Sequence, residues 1–274
     1  MKYDCELVGK IGSMALINRE LNELDYNAFS RIGKYLRPGY VWVSSGAVEI
    51  GKIDYFNRQN TYLSHENDIA KSLYASQGQC ILMENYRRFI NPDYSMRQIL
   101  LEHSHFNDKE KSTYIKTLLL ESMKQKAIPI INYNDSVSND EILKVELLEM
   151  RKKQETVAEC IDNDETASRL SVLLKSKYLL ILTSSEGLLQ NPQDETSLIK
   201  TVEGKNTEEL LEHINELMGY CDGASRKGAN GMLAKLQYIR GPIENGTTVI
   251  IGSSAYSIPD LLNGTVNRTI FQVR

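Results

Sequence analysis

No stretch of the 274-residue sequence comes near the roughly 20 apolar residues that a bilayer-spanning helix needs. The first residues, MKYDCELVGKIG, hold one early lysine and neither a long apolar segment nor a small-residue cleavage site, so a soluble, untargeted, cytoplasmic protein is expected. Cysteine is scarce: Cys5, Cys80, Cys160 and Cys221 make no CxxC pair, which argues against a zinc ribbon and a disulfide framework and leaves reduced thiols. An excess of positive charge is missing too. With 32 Lys+Arg against 36 Asp+Glu, there is no broad cationic field for nucleic acid or anionic lipid, although a local basic site for phosphates stays open. The four histidines, His65, His103, His105 and His213, include one HxH pair with no third ligand at a suitable spacing, so surface or packing roles are favoured and no protein metal site is expected. Trp42 and the tyrosines form no stacking platform. Repeats, low-complexity tracts and linkers rich in Pro, Gly or Ser are absent, and the chain reads as one domain, residues 1–274.

What is present is an ordinary globular composition, 41% hydrophobic and 25% charged, for which a packed core is expected. Short aliphatic and β-branched runs recur at residues 6–11, 40–44, 96–101, 127–132, 178–183, 247–252 and 269–273; several are apolar on both faces, as strands covered by helices on each side should be. Between them lie segments of helical period. In residues 109–126, Ile115, Leu118, Leu119 and Met123 share a face; after Asp162-Asn163-Asp164, so do Ala167, Leu170, Ser171 and Leu174. Such alternation predicts an α/β fold, a mostly parallel sheet with helices on both faces. Residues 138–159 hold a charged, helical insert, and residues 219–231 form a glycine-bearing loop with Arg226 and Lys227.

Four places set small or polar residues just after a strand, where a parallel sheet builds its ligand crevice. Gly9-Lys10-Ile11-Gly12-Ser13 lets the backbone approach a phosphate and adds a point charge at Lys10; an ordinary strand-to-helix turn has the same residues. Ser44-Ser45-Gly46-Ala47 precedes a helix start, a natural anion site. Its continuation to Lys52 nearly matches a P-loop, but Ile53 stands where Ser or Thr must hold magnesium. Asn132-Tyr133-Asn134-Asp135 and Asp162-Asn163-Asp164 place amides and carboxylates where they can bind an amino group, orient a lysine or merely cap turns. Gly228-Ala229-Asn230-Gly231-Met232 runs into a helix with Lys235 one turn inside; it suits nucleotide phosphates or a solvated helix face.

In their order, VGKIGSMALI, VWVSSGAVEIGK, SQGQ, IPIINYNDSVSNDEI, DNDETASRLSVLL, YLLILTSSEGLL, NGMLAKLQ and TVIIGSS resemble the amino-acid kinase family, and within it the glutamate 5-kinase branch. The resemblance runs through nearly the whole chain and accounts for the false P-loop, because SSGAVxxGK is similar to that family's own sequence after its second strand.

The resemblance implies a three-layer α/β/α sandwich and transfer of the ATP γ-phosphoryl group to the side-chain carboxylate of L-glutamate, the first step of proline synthesis. It implies that Lys10 and Lys235 contact the transferring group and that Asp164 holds both ammonium groups in place. Ser45, Gly46, Asn134, Asp135 and Asn163 are implied at the acceptor. Gly12, Ser13, Thr183, Ser184, Ala229, Asn230, Gly231, Met232 and Lys235 are implied at the nucleotide, with Mg2+ held mainly by ATP phosphates and water. A homo-oligomer acting on a small molecule is implied as well. The RNA-binding-like C-terminal domain that many glutamate kinases carry is not expected, since the sequence ends soon after its last strand. Ser184 stands where the family usually has Asp, Tyr133 where it has Glu, and Ile161 where it has Gly; the segment between Asp140 and Asp162 is longer than usual. Those departures keep two alternatives open: another acceptor, such as UMP or another small phosphate or carboxylate, and a nucleotide or amino-acid sensor without catalysis.

Overall fold

The computed structural model describes residues 2–64, 67–152, 157–160, 162–191, 194–222 and 229–274. Of the residues singled out above, His65, Ile161, Arg226, Lys227 and Gly228 lie outside it, as do the side chains of Cys221, Ala229, Asn230 and Gly231. In chain order the main elements are β1 (Cys5–Ile11), α1 (Tyr26–Gly33), β2 (Tyr40–Ser44), α2 (Ala47–Gln59), α3 (Asp68–Phe89), β3 (Ser95–Leu101), α4 (Lys109–Lys124), β4 (Ala127–Tyr133), α5 (Asp140–Arg151) and α6 (Asn163–Leu173). There follow β5 (Ser176–Thr183), β6 (Thr201–Gly204), α7 (Thr207–Asp222), α8 (Ala229–Tyr238), β7 (Thr248–Ser253), α9 (Ile258–Asn263) and β8 (Thr269–Val273). The expected α/β/α class is the one observed: a mostly parallel central sheet flanked by helices.

The chain divides into two compact units, residues Met1–Ile11, Gly39–Trp42 and Asp164–Arg274 forming the first and Gly12–Pro38 and Val43–Asn163 the second. In the first, strands run in the order β6-β8-β7-β5-β1, with the start of β2 beyond β1. β1 pairs parallel to β5 and β5 parallel to β7, while β8 is antiparallel to β7. In the second, the end of β2 is followed by β4 and then β3, the last two parallel.

Burial explains these strands. Every residue of β4 is buried, which requires that both of its faces be covered. On α6, Ala167, Leu170 and Ser171 are buried as their spacing predicts, and so is Leu174 just past its end, each leucine contributing roughly 1.5–3 kcal/mol. On α4, Ile115 and Leu119 are fully inside and Leu118 and Met123 partly so. Helix starts follow local chemistry: Asp25, Asn67, Asp108 and Asn139 each accept a backbone N–H from the first turn of α1, α3, α4 and α5. The charged insert is helical over Asp140–Arg151, its inner face carrying buried Leu143 and Leu147. No helix among the described residues is long and apolar enough to cross a membrane.

Candidate functional site

In the first unit, Lys10 stands near the end of β1 and is only 7% exposed. Asp164 opens α6, and Lys235 lies in α8. Lys10 Nζ is 2.7 Å from Asp164 Oδ1 and Lys235 Nζ is 2.9 Å from Asp164 Oδ2, so one carboxylate bridges two ammonium groups contributed by three elements. Burial alone pushes the Asp164 carboxyl up; the charges and hydrogen bonds of Lys10 and Lys235 more than offset it and hold the group below the usual carboxylate range. Two cations and one anion leave a formal charge of +1 in a partly desolvated place, which favours an anion there. α8 is kept against α6 in part by Ser168, whose hydroxyl donates to the Tyr238 carbonyl at 2.5 Å.

The nucleotide residues expected from the sequence fall as follows. Thr183 ends β5, and its hydroxyl donates to the Ser185 carbonyl at 2.8 Å. Ser184 follows it, exposed. Ala229, Asn230, Gly231 and Met232 form the first turn of α8, with Met232 half-buried. Gly12 and Ser13, in the second unit, lead into a short 3-10 turn that Gly12 caps without a side chain.

In the second unit, Gly46 occupies the N-cap of α2 with φ +118°, a left-handed backbone that favours glycine, and provides no side-chain cap for the first amides of that helix. Ser45, just before it, accepts a hydrogen bond from Asn163 Nδ2 at 2.8 Å. The same Nδ2 lies 3.2 Å from Asn132 Oδ1, and Asn132 Nδ2 donates to Gln79 Oε1 at 2.9 Å. Thus Ser45 and Asn163 are brought together. Asn134 is tied instead to Glu102, to which its Nδ2 donates at 2.8 Å, and the Asp135 carbonyl accepts from Ser72. Asn132 belongs to the strand-end group that the sequence marks as able to bind an amino group, whereas Gln79 has no role in the sequence reading, because a glutamine inside a helix reads as surface.

Two of the sequence features are clarified by their surroundings. Tyr133 is buried at 9% exposure against Ala158, Cys160 and Phe106, so the long segment after Asp140 supplies an apolar lining beside it. Burial pushes its hydroxyl up to about 12, keeping it protonated at neutral pH. The HxH pair is split in role: His103 is buried with Nε2 3.2 Å from Glu146 of α5, whereas His105 Nδ1 accepts from the Glu102 N–H at 3.0 Å. Among the described residues no group of three or more His, Cys, Asp or Glu side chains is placed to hold a metal ion. Among the described residues, Cys5, Cys80 and Cys160 form no disulfide.

The sequence profile of the Amino acid kinase family matches residues 7–253. Glutamate 5-kinase 1 of Bacillus subtilis (strain 168) is 29% identical over 270 residues, 94% of this chain and 66% of that protein. Glutamate 5-kinase of Alkaliphilus metalliredigens (strain QYMF) is 27% identical over 277 residues, 97% of this chain and 95% of that protein. The chain thus spans just under two thirds of the Bacillus relative and nearly all of the Alkaliphilus one. In fold it is similar to carbamate kinase from Giardia lamblia bound to AMP-PNP, with a TM-score of 0.59 at 16% identity, covering 97% of this chain and 98% of that one. UMP kinase from Ureaplasma parvum gives 0.53 at 11% identity, covering 98% and 99%.

Proposed function

Because the chain belongs to the amino acid kinase family, we propose that it is an ATP-dependent kinase that phosphorylates the side-chain carboxylate of L-glutamate, giving the acyl phosphate with which proline synthesis begins. The observation that carries this reading is the double engagement of Asp164 by Lys10 and Lys235 at 2.7 and 2.9 Å. The names of the glutamate 5-kinase relatives support the choice of acceptor.

A carboxylate acceptor, with an ordinary value near 4.3, is already ionised at neutral pH and needs no general base. The obstacle is bringing one anion against another. In this reading Lys10 and Lys235 take the oxygens of the migrating phosphoryl group, and Asp164 fixes where the two ammonium groups stand without itself reacting. Ser45, the Gly46 backbone, Asn134, Asp135 and Asn163 hold the acceptor. Gly12, Ser13, Thr183, Ser184 and the first turn of α8 from Ala229 to Met232 take ATP, and magnesium accompanies its phosphates.

A coupled ADP-release assay with L-glutamate, L-aspartate and UMP, with hydroxylamine added to trap acyl phosphate as hydroxamate, tests the proposal. Glutamate-dependent ADP release with hydroxamate formation is expected. Turnover with UMP or aspartate but not glutamate would falsify the acceptor assignment; binding of ATP and glutamate with no transfer would make the chain a sensor.

A further inference from the structure

In the second unit, the polarity of a whole hydrogen-bond network is fixed by a single backbone group. The Tyr133 N–H can only donate, and it donates to Asn132 Oδ1 at 2.9 Å. Asn132 Nδ2 must then face the other way, where it donates to Gln79 Oε1 at 2.9 Å. Asn163 Nδ2 donates to Asn132 Oδ1 at 3.2 Å and to Ser45 Oγ at 2.8 Å. An amide that shows its oxygen to one neighbour turns its nitrogen elsewhere, so the pattern propagates to both ends. It leaves over one donor, Gln79 Nε2, and one acceptor, Asn163 Oδ1, both buried and without a hydrogen-bond partner among the described residues. Buried polar atoms in folded proteins are nearly always paired, so an orphaned donor and acceptor point to a ligand that completes them.

The backbone brings Gln79 to this place by a close helix crossing. A Cβ at Gly78 would lie 1.9 Å from the Ala47 carbonyl oxygen, and one at Gly51 would lie 1.8 Å from the Tyr74 carbonyl oxygen. Only with glycine at both positions do α2 and α3 meet at this separation, with Gln79 one residue past the contact and 7% exposed.

We propose that Gln79 is a specificity-determining residue for the acceptor. Its oxygen holds Asn132, and through Asn132 the amide of Asn163, in one orientation; its nitrogen donates to an oxygen of the acceptor's α-carboxylate, while Asn163 Oδ1 accepts from the α-ammonium group. The network Ser45, Gln79, Asn132 and Asn163 is formally neutral. A surplus donor and a surplus acceptor in a neutral network match the zwitterionic end of a free α-amino acid, which is also uncharged overall. A nucleoside monophosphate carries no ammonium group to match Asn163 Oδ1. The inference rests on the amino-acid acceptor proposed above.

Calorimetric binding in the presence of a non-hydrolysable ATP analogue tests it, with L-glutamate, 4-aminobutyrate (no α-carboxylate) and glutarate (no ammonium) as ligands. Gln79→Glu keeps an oxygen for Asn132 and replaces the donor with an acceptor; Gln79→Met keeps the length without polar atoms. Wild type is expected to bind glutamate about tenfold or more tighter than either analogue, as losing one buried hydrogen-bonded partner implies. Gln79→Glu should weaken glutamate about tenfold while leaving 4-aminobutyrate within about twofold, because that ligand has no carboxylate for Nε2 to meet and Asn132 keeps its acceptor; Gln79→Met, which also releases Asn132 and through it Asn163, should weaken both ligands, glutamate about tenfold more than 4-aminobutyrate. Equal losses for glutamate and 4-aminobutyrate, or no loss for glutamate, overturn the proposal. If Gln79→Glu does not fold, Gln79→Met decides by the same ratio. A wild type that phosphorylates glutamate beside an unaffected Gln79 variant sinks this inference alone; a wild type that binds none of the three ligands yet turns over UMP sinks the acceptor reading with it.

Discussion

Asp164 in the first unit and Asn163, its neighbour in the chain, in the second are held in opposite ways. Asp164 is a buried charge between two opposite charges. Asn163 is a neutral amide whose neighbours, Ser45 and Asn132, meet it only if its nitrogen faces them. Attraction between ions depends mainly on their number and distance and tolerates changes of angle. An amide network depends on which end of each group faces its neighbour and ignores net charge. The first constellation should therefore break when a charge is removed, and the second when a donor is exchanged for an acceptor at constant shape.

The largest effect is expected from Asp164→Asn, which leaves the ammonium groups of Lys10 and Lys235 beside each other without their shared anion. Breaking a buried ion pair by removing one partner costs about 3–5 kcal/mol, and urea unfolding of wild type and variant measures it. A loss under about 1 kcal/mol would show that the trio behaves like a surface pair and that the contrast with Asn163 is not one of charge. Next come Lys10→Ala and Lys235→Ala. Each is expected to lower kcat by about 10²–10³, the loss typical of one removed donor at a developing charge, with the KM for the acceptor changed far less. An unchanged kcat in either variant would count heavily against the phosphoryl clamp.

Acid sharpens the same contrast. The Asp164 carboxyl titrates below the ordinary aspartate value of 3.8, burial pushing it up and the two ammonium groups pulling it further down. A depressed carboxyl stabilises the fold fully above about pH 5 and loses that contribution as pH falls through the ordinary value toward the folded one. The stability gap between wild type and Asp164→Asn should thus be constant from about pH 6 to 8 and shrink below about pH 4. The gap between wild type and Gln79→Met should stay flat over that range, since Ser45, Gln79, Asn132 and Asn163 carry no group that titrates there. A gap for Asp164→Asn that widens on acidification would reverse the sign assigned to its ion pairs.

The two constellations were not equally legible in the sequence. Lys10, Asp164 and Lys235 stand in motifs whose order marks the family, and Lys10 ends an apolar run long enough to read as a strand. The amide network spreads over residues that, taken one by one, read equally well as a turn, a helix cap, a strand end or a helix surface. Gln79 lies inside a helix of 22 residues with little periodicity, because that helix packs against both α1 and α2 and has no single apolar face. Which end of Gln79 is unpaired follows from the Tyr133 N–H, far away in sequence, and no window of residues contains that relation. The same limit hid one strand. Among the described residues, seven strands of the sheet overlap the apolar runs, but β6 is the four residues Thr201–Gly204, buried only at alternate positions and fixed by pairing with β8. The division into two units was also invisible, since no change of composition marks the boundaries at residues 11, 42 and 163.

A pair of glycines gives the smallest effects and tests whether the amide network depends on the helix crossing beneath it. Gly78 in α3 is closed in: an added Cβ would lie 1.9 Å from the Ala47 carbonyl oxygen and 2.4 Å from the Gly51 nitrogen, both backbone atoms that cannot swing aside. Gly78→Ala must therefore push α3 away from α2, an overpacking expected to cost about 1–3 kcal/mol and to carry Gln79 with it. Gly219, in α7 of the first unit, has no atom of the described residues within 4 Å of its added Cβ. Gly219→Ala should stabilise the protein by up to about 0.5–1 kcal/mol, the helix-propensity gain of alanine at an exposed helical position. The discriminating readout is the KM for the acceptor at a temperature where both variants are folded: a rise in Gly78→Ala and none in Gly219→Ala places the effect in the position of Gln79. Equal KM values for the two would mean that α3 can shift without disturbing the amides, and that the network is held by β4 and Asn163 alone.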